Sequence, residues 1–251
     1  EITRDQVIVS PAPGEPGTLP FWHGTGPGRP FELGLEIGKL MAQASNRPMH
    51  ERIDYIHEEY PVEREVAEAL AKLVEDQRES SGLLPTHRQV VVERFVDELG
   101  DDRVCILAPF GTAINAPWAM ALESLLSNQH GFDVQALWSD DGISLTLVND
   151  GTPWEKDIDR WLPDPDELED LVIEQLAHTA LFAGTFRENA GRALLLPRKY
   201  PGKRTPLWAQ RLKAQKLLAV AKSYSDFPII LETYRTCLKD IFDIVSLKTI
   251  L

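Results

Sequence analysis

Cationic side chains cluster in one window of the sequence. Between Arg187 and Lys222 there are ten Lys or Arg residues and a single carboxylate, Glu188, so this window carries a net charge of +9. The ten basic residues are Arg187, Arg192, Arg198, Lys199, Lys203, Arg204, Arg211, Lys213, Lys216 and Lys222. Lys and Arg bind phosphate backbones and release condensed counterions. The window is therefore a candidate nucleic-acid-binding surface, although an acidic partner or a solvated face would fit the same charges.

Trp22 is the second candidate, because it lies in the segment FWHGTGPGRP beside a Gly/Pro-rich loop and Arg29. An exposed indole next to a cation can stack on a nucleobase, and one such stack is worth roughly 1–3 kcal/mol. The alternative is that Trp22 packs in the core of a hairpin predicted over 6–22. We expect the other five tryptophans to pack, namely Trp118, Trp138, Trp154, Trp161 and Trp208.

The overall charge is −13, which leaves −22 outside the basic window and indicates one cationic surface on an anionic body. The two cysteines, Cys105 and Cys237, fit neither a metal-ligand spacing nor a disulfide framework. They favour a reducing, cytoplasmic setting. No signal peptide and no apolar run long enough to span a membrane is found, so no membrane partner is expected.

The sequence contains no recognisable catalytic or metal site. It lacks a G-x-x-x-x-G-K-[ST] phosphate loop, an H-E-x-x-H helix and a G-x-S-x-G elbow. His50 and His57 are each followed by Glu, but they are seven residues apart rather than four. The pair Asp140 and Asp141 is explained by a turn. An independent enzyme that uses Asp140 or Asp141 is the remaining catalytic hypothesis.

The first 152 residues are predicted to form a β-rich, mixed subdomain. Gly34 and Gly38 in its first helix are expected to permit close packing. Its elements are the hairpin at 6–22, a helix over 31–44, a helix over 62–78 with the stripe Val66, Ala69, Leu70 and Leu73, strands at 88–95 and 103–108, a helix from an Asn115 cap to Leu126, and a hairpin of 134–138 and 143–147 around Asp141-Gly142.

Residues 153–251 are predicted to form an all-helical bundle, after a Pro- and Asp-rich boundary at 149–165. One helix begins after the cap sequence Asp164-Pro165-Asp166-Glu167 and runs to about Phe182. Another runs from Thr205-Pro206 to about Ser223, and a third follows Pro228. The fold class is therefore α+β. Because a helical pattern is still running at Leu251, we expect a fragment that is truncated at its C-terminus.

Six blocks of sequence, in order and over most of the chain, resemble the C-terminal region of Lhr-type, large helicase-related proteins. They are PGEPGTLPFWHGTGPGRP (13–30), LPTHRQVVVERFVDELGD (84–101), APFGTAINAPWAMAL (108–122), SDDGISL (139–145), LFAGTFRENAGRALLLPRKYPGKRTPLWAQRLKAQKLL (181–218) and FPIILETYRTCLKDIFD (227–243). The region corresponds to a DEAD/DEAH-associated domain. Such proteins carry two RecA-like motor domains and a winged helix before it.

The resemblance implies an accessory module of an ATP-dependent 3′–5′ helicase that guides and grips single-stranded DNA or one strand of a DNA–RNA hybrid for DNA repair. ATP and Mg²⁺ would bind to the motor domains, which this chain lacks, so no cofactor is expected here. In the family, the tryptophan of the FWHG block stacks on a base, and that position is Trp22. The expected nucleic-acid-binding residues are Trp22, Arg29, Arg198, Lys199, Lys203, Arg204 and Arg211. The alternative is a structural module that docks on its own motor or on another protein without touching nucleic acid.

Overall fold

The computed structural model describes residues 28–98, 100–130, 134–147, 162–196, 207–224 and 226–251. The elements in these ranges are α1 (Phe31–Ser45), α2 (Met49–Glu59), α3 (Arg64–Ser81), β1 (Val91–Val96), β2 (Asp102–Leu107), α4 (Thr112–His130), β3 (Val134–Ser139), β4 (Gly142–Leu147), α5 (Leu168–Leu176), α6 (Ala180–Arg192), α7 (Leu207–Ala221), α8 (Pro228–Arg235), a π-helix (Thr236–Ile241) and α9 (Ile244–Ile250). The predicted α+β class is confirmed. The hairpin predicted at 6–22 lies outside the described residues.

Helix α1 packs against the chain through its two glycines. A Cβ atom on Gly34 would collide with the backbone of Pro109 and Phe110, and one on Gly38 would collide with the backbone of His87. The prediction that these glycines permit close packing is confirmed. They bring α1 against the two loops that flank the first strand pair.

Helices α1, α2 and α3 enclose a small core of their own, and Arg52 of α2 lies buried inside it. Its guanidinium donates to the carbonyl oxygens of Ala44, Ala71 and Arg47 at 3.0–3.1 Å. It also forms an ion pair with Glu75 at 2.7 Å. Because all three nitrogens of the buried guanidinium donate to acceptors on or beside α1 and α3, Arg52 joins the three helices where an apolar side chain could not.

The predicted apolar stripe of α3 is confirmed only at Leu70, which is partly buried against this core, and is wrong at its other positions. The helix buries Ala67, Ala71 and Val74, whereas Val66 and Leu73 are 46% and 56% exposed. Both sets recur at helical spacing, so periodicity alone cannot choose between them. Ala67 and Ala71 lie in the small core. Because their side chains are short, α2 and α3 can approach closely there.

Four antiparallel strands form one sheet in the order β1-β2-β4-β3. Val104 lies opposite Leu145 and Ile106 opposite Ile143 in the register, and these buried side chains form the face that packs on α4. The predicted β3–β4 hairpin is confirmed, but its turn is Asp140-Asp141 rather than Asp141-Gly142. Gly142 instead begins β4.

Helix α4 is buried over almost its whole circumference, between the sheet and helices α5 and α9. It begins at Thr112, so the prediction that Asn115 caps it is wrong. Asn115 lies inside the helix and donates from Nδ2 to Ala108 O at 3.0 Å and to Ser139 O at 2.9 Å. The side chain therefore ties the ends of β2 and β3 to the helix that covers them.

Pro117 interrupts the hydrogen bonding of α4 and so frees one backbone carbonyl oxygen for a tertiary contact. Because proline has no N–H, the carbonyl oxygen of Ala113 has no partner four residues along the helix. That oxygen accepts the backbone N–H of Asp243 at 3.0 Å. The missing helical bond thus becomes the contact that holds the start of α9 against α4.

The described residues after β4 form helices joined by turns, with no strand among them, as predicted. The single helix expected to run to Phe182 is wrong, because α5 ends at Leu176 and α6 begins at Ala180. Thr179 caps α6 by accepting the N–H of Phe182 at 3.1 Å. The expected N1 proline is also displaced: residues 164–167 form a turn before α5 begins at Leu168.

One continuous apolar core joins the sheet, α4 and helices α5 to α9. It includes Val104 and Leu145 from the sheet as well as Val172, Phe186 and Leu247 from the helical half. The boundary predicted near residue 152 lies outside the described residues and stays a prediction. Buried residues on both sides of it belong to the same core.

Candidate nucleic-acid interface

The first described residues, 28–30, end the Gly/Pro-rich stretch of sequence that follows Trp22, and Trp22 itself lies outside the described residues. Arg29 of this segment is only 19% exposed in its side chain. Its Nη1 donates to Asp141 Oδ1 at 2.7 Å and to the carbonyl oxygen of Asp140 at 3.2 Å. The structure thus places Arg29 against the β3–β4 turn.

Asp140 fastens this segment to the start of α4. Its Oδ1 accepts the backbone N–H and the hydroxyl of Thr112 at 2.8 and 2.6 Å, and the backbone N–H of Arg29 at 3.1 Å. The N–H of Thr112 belongs to the first turn of α4, which has no acceptor within the helix. The carboxylate also lies at the positive end of the helix dipole.

The pKa of Asp140 reflects these contacts. Burial raises the pKa, but the hydrogen bonds from Thr112 and from the Arg29 backbone, together with the Arg29 charge, outweigh burial and lower it below its ordinary value. Asp140 is therefore ionised at neutral pH. Its hydrogen bonds give the carboxylate a structural role in this corner of the molecule.

Gly111 lets the segment approach α4 so closely. Its φ of +90° lies in the left-handed region, and a Cβ atom there would collide with the carbonyl oxygen of Arg29. Only glycine satisfies both conditions. The segment 28–30, the loop before α4 and the β3–β4 turn therefore form one tightly packed corner, which we call the Asp140 corner (residues 28–30, 109–112 and 139–141).

The basic window is described only in part. Arg198, Lys199, Lys203 and Arg204 lie outside the described residues, and their role stays a prediction. Arg192 on α6 and Arg211, Lys213 and Lys216 on α7 are exposed, as is Lys222 just after α7. Lys222 Nζ donates to the carbonyl oxygen of Ala177 at 2.7 Å, so it also closes the end of α5.

The tryptophans divide between core and surface. Trp118 is 2% exposed and packs in the core, as predicted. The prediction that Trp138 and Trp208 pack is wrong, because they are 39% and 55% exposed. Trp138 lies on the edge strand β3, and Trp208 lies on α7 away from its buried positions. Trp154 and Trp161 lie outside the described residues.

Neither the anchoring role of Asp140 nor the exposure of Trp208 was predicted from the sequence. A signal for the second was present: α7 buries Ala214, Leu218 and Ala221, which share one helical face that excludes residue 208. No comparable local signal existed for Asp140, because its partners are 28 and 111 residues away.

The other candidate chemistry does not assemble within the described ranges. There, no three His, Cys, Asp or Glu side chains come together as a metal site. His57 Nδ1 lies 2.9 Å from the carbonyl oxygen of Val62, and His50 Nε2 lies 3.8 Å from Glu51. None of the helices in the described part of the chain is both long and apolar enough to cross a membrane.

Comparison with known proteins agrees with the resemblance seen in the sequence. The chain is 43% identical over 248 residues to the Lhr helicase/probable uracil glycosylase of Mycolicibacterium smegmatis, and 41% identical over 253 residues to the Lhr helicase/uracil glycosylase of Escherichia coli. These alignments cover 98% and 100% of the chain but 16% of each relative. The chain thus spans about a sixth of the length of these relatives.

A solved structure extends the likeness to the fold. The structure of Mycobacterium smegmatis helicase Lhr bound to ssDNA and AMP-PNP superposes with a TM-score of 0.82 at 41% identity, over 95% of this chain and 30% of that one. The family model described as DEAD/H associated matches residues 84–251, from just after α3 through the sheet and all the helices that follow. With two thirds of its length matched in this way, the chain belongs to the DEAD/H associated family, in the form found in Lhr helicases.

Proposed function

We propose that this chain is the accessory C-terminal module of an Lhr-type ATP-dependent 3′–5′ helicase, in which it guides and grips single-stranded nucleic acid during DNA repair. The observation that carries the proposal is the fold likeness, over 95% of the chain, to an Lhr helicase whose structure was determined with ssDNA. ATP and Mg²⁺ would bind to RecA-like motor domains elsewhere in the polypeptide, and the strand could come from DNA or from a DNA–RNA hybrid in the cytoplasm.

The physical requirement for such a module is a grip that tolerates every sequence. A motor converts ATP hydrolysis into movement only if the strand does not slip between steps. An indole stacks on any base, because every base has a π-face. Contacts from Arg198, Lys199, Lys203, Arg204 and Arg211 to phosphates would add affinity that is blind to sequence.

A stacking residue holds a strand only if the protein around it is firmly anchored. The Asp140 corner would supply such an anchor close to Trp22 in the sequence. Arg29 donates its Nη1 to the β3–β4 turn, and Asp140 binds the backbone N–H of Arg29. We propose that Arg29 contributes mainly by fixing residues 28–30, the segment that follows Trp22 in the sequence. A stacked base would then transmit force to the core rather than to a loose segment.

The test is Trp22→Ala in the full-length polypeptide, with ATPase and duplex unwinding measured together. We expect unwinding to fall much more than ssDNA-stimulated ATPase, because the motor still turns over but loses its hold on the strand. The matched control is Trp138→Ala, which removes an exposed indole from the edge strand β3. Wild-type unwinding by the Trp22 variant would contradict the proposal.

A second test uses charge. Each phosphate contact on single strands contributes about 0.7 to the slope of log K against log[salt]. Neutralising Arg198, Lys199, Lys203 and Arg204 together should lower that slope by up to about 3. The control neutralises four cations of the α1–α3 unit, Lys39, Arg64, Lys72 and Arg78, and should leave the slope unchanged.

The alternative function is a docking module without nucleic-acid contact. The exposure of Val66 and Leu73 on α3 favours it, because apolar residues at helical spacing on a surface suit a protein interface. Under this alternative, neutralising the basic window changes assembly or stability but leaves the salt slope of strand binding unaltered. The salt slope of strand binding therefore distinguishes the two functions: it falls under the first and is unchanged under the second.

A further inference from the structure

Helix α7 shows most of its surface to solvent. Its buried residues, Ala214, Leu218 and Ala221, are small or medium apolar side chains on one face. The opposite face begins with Trp208, which is 55% exposed, and continues with Leu212, which is 44% exposed. A large indole on the outer face of a helix is unexpected, because an aromatic ring of this size contributes most when it is covered.

The charged residues of α7 are all positive. The helix has three cations, Arg211, Lys213 and Lys216, and no carboxylate among its 15 residues. The whole chain has 39 Asp and Glu residues in 251 positions, so a helix of this length would carry two or more at the average frequency. The three cations are all exposed.

The exposed indole and the cations share a surface. Trp208, Leu212 and Lys216 are four residues apart, so they form a row along one side of the helix with a rise of roughly 6 Å per step. Arg211 is three residues from Trp208 and adjoins the same row. The row therefore offers a flat aromatic ring, a small apolar contact and positive charge within three helical turns.

We propose that Trp208 is a second base-stacking residue, and that the α7 row of Trp208, Arg211, Leu212 and Lys216 binds single-stranded nucleic acid. This rests on the proposed function, since the strand is the one that the module guides. The indole would stack on an unpaired base, while Lys216 and Arg211 would meet the phosphates on either side.

Single-stranded nucleic acid fits this row better than an acidic protein or a duplex. A duplex keeps its bases stacked on one another, so an exposed indole finds no π-face unless a base is unstacked. An acidic protein would satisfy the cations but would leave the ring without its best partner. Paired stacking and phosphate contacts are the usual means of binding single strands without sequence preference.

The direct test is photo-crosslinking in the full-length polypeptide with an oligo(dT) that carries 5-iododeoxyuridine at single positions. We expect a crosslink that mass spectrometry locates at Trp208. Trp208→Ala should remove it and weaken strand binding by about 5- to 150-fold, which is the range for the loss of one base stack. Trp208→Phe should keep much of the affinity, because the smaller ring still stacks.

Salt dependence provides a second measurement that a purely structural role would not change. Lys216→Gln should lower the slope of log K against log[salt] by about 0.7, the value for one phosphate contact on a single strand. The matched control is Lys72→Gln on the outer face of α3, which should leave the slope unchanged. Trp138→Ala is the corresponding control for removal of an exposed indole.

The possible outcomes separate this inference from the proposed function. If Trp22→Ala weakens unwinding but Trp208→Ala leaves binding and crosslinking unchanged, the α7 row is refuted and the guiding function stands. If wild-type binding shows no salt dependence, the guiding function itself fails. If Trp208→Ala alters only assembly or thermal stability, the row is a protein interface and the inference is overturned.

Discussion

Replacing Asp140 by Ala in the β3–β4 turn should destabilise the chain. The carboxylate is the shared acceptor of three hydrogen bonds, two from Thr112 and one from the backbone of Arg29. Alanine leaves two backbone N–H groups in a partly buried corner without an acceptor. It also removes the negative charge from the N-terminus of α4.

The expected size follows from these losses. Hydrogen bonds to a charged group contribute about 1.5–3 kcal/mol each, and a carboxylate near a helix N-terminus adds about 0.3–1 kcal/mol. The corner is only partly buried, so water can replace part of what is lost. We therefore expect Asp140→Ala to lower the free energy of unfolding by about 3 kcal/mol. Asp140→Asn retains an acceptor oxygen and should lower it by about 1 kcal/mol.

The assay is urea unfolding followed by far-UV circular dichroism between pH 3 and pH 8. Because the pKa of Asp140 is lower in the folded protein than its ordinary value, ionisation favours the folded state above that ordinary value. The stability difference between wild type and Asp140→Ala should thus be constant from about pH 5 to pH 8. It should shrink as the pH falls below about 4 and through the folded pKa.

A matched control is Asp243→Ala, which removes another carboxylate from a helix start. Asp243 Oδ1 accepts one backbone N–H, that of Ser246 at 2.9 Å, so its loss should lower stability by about 1 kcal/mol. If Asp140→Ala is no more destabilising than this control at pH 7, the three hydrogen bonds do not fasten the corner. A difference that persists undiminished at pH 3 would show that charge is not its source.

Two further predictions concern packing. Arg52→Met should lower the free energy of unfolding by about 3 kcal/mol in a urea titration, because it keeps the aliphatic volume but removes the ion pair with Glu75 and three hydrogen bonds to carbonyl oxygens; a change below 1 kcal/mol would contradict this account. Gly34→Ala should lower it by about 2 kcal/mol, because the new methyl meets the backbone at Pro109. Gly184→Ala, which meets nothing within 4 Å, should raise it by up to about 1 kcal/mol, and equal effects of the two would refute the packing argument.

Local patterns in the sequence predicted those elements whose signals are local. The alternation in 134–138 and 143–147 predicted the β3–β4 hairpin, and Pro228 predicted the start of α8. The choice of the packed face of α3 failed, because Val66 and Leu73 compete with Ala67 and Val74 at the same period. The buried face of α3 is decided by its packing against α2. The sequence of α3 alone contains no information about that packing.

The candidate site was predictable as a set of residue types but not as an arrangement. Charge counting along the sequence found the basic window, and the Gly/Pro pattern marked the loop around Trp22. The role of Asn115 was mistaken for a cap because Asn is common at helix starts. Its actual partners, Ala108 O and Ser139 O, are brought to it by the sheet. The partners of Asp140, Thr112 and Arg29, are likewise brought to it by the tertiary fold.

In a module that grips a strand, helix α4 would transmit force between the segment 28–30 and the helices that follow the sheet. The segment 28–30 is fastened to its first turn through Thr112 and Asp140. Helix α5 is joined to its middle by the hydroxyl of Ser124, which donates to Glu174 at 2.6 Å, and α9 is joined through Ala113. Two of these contacts hold the first turn of α4 and the third holds a later turn, so force applied to residues 28–30 would pass through one buried helix to α5 and α9. The same core includes Leu218 and Ala221 of α7, the helix that carries Trp208, so a pull on Trp208 would meet the core that also supports residues 28–30.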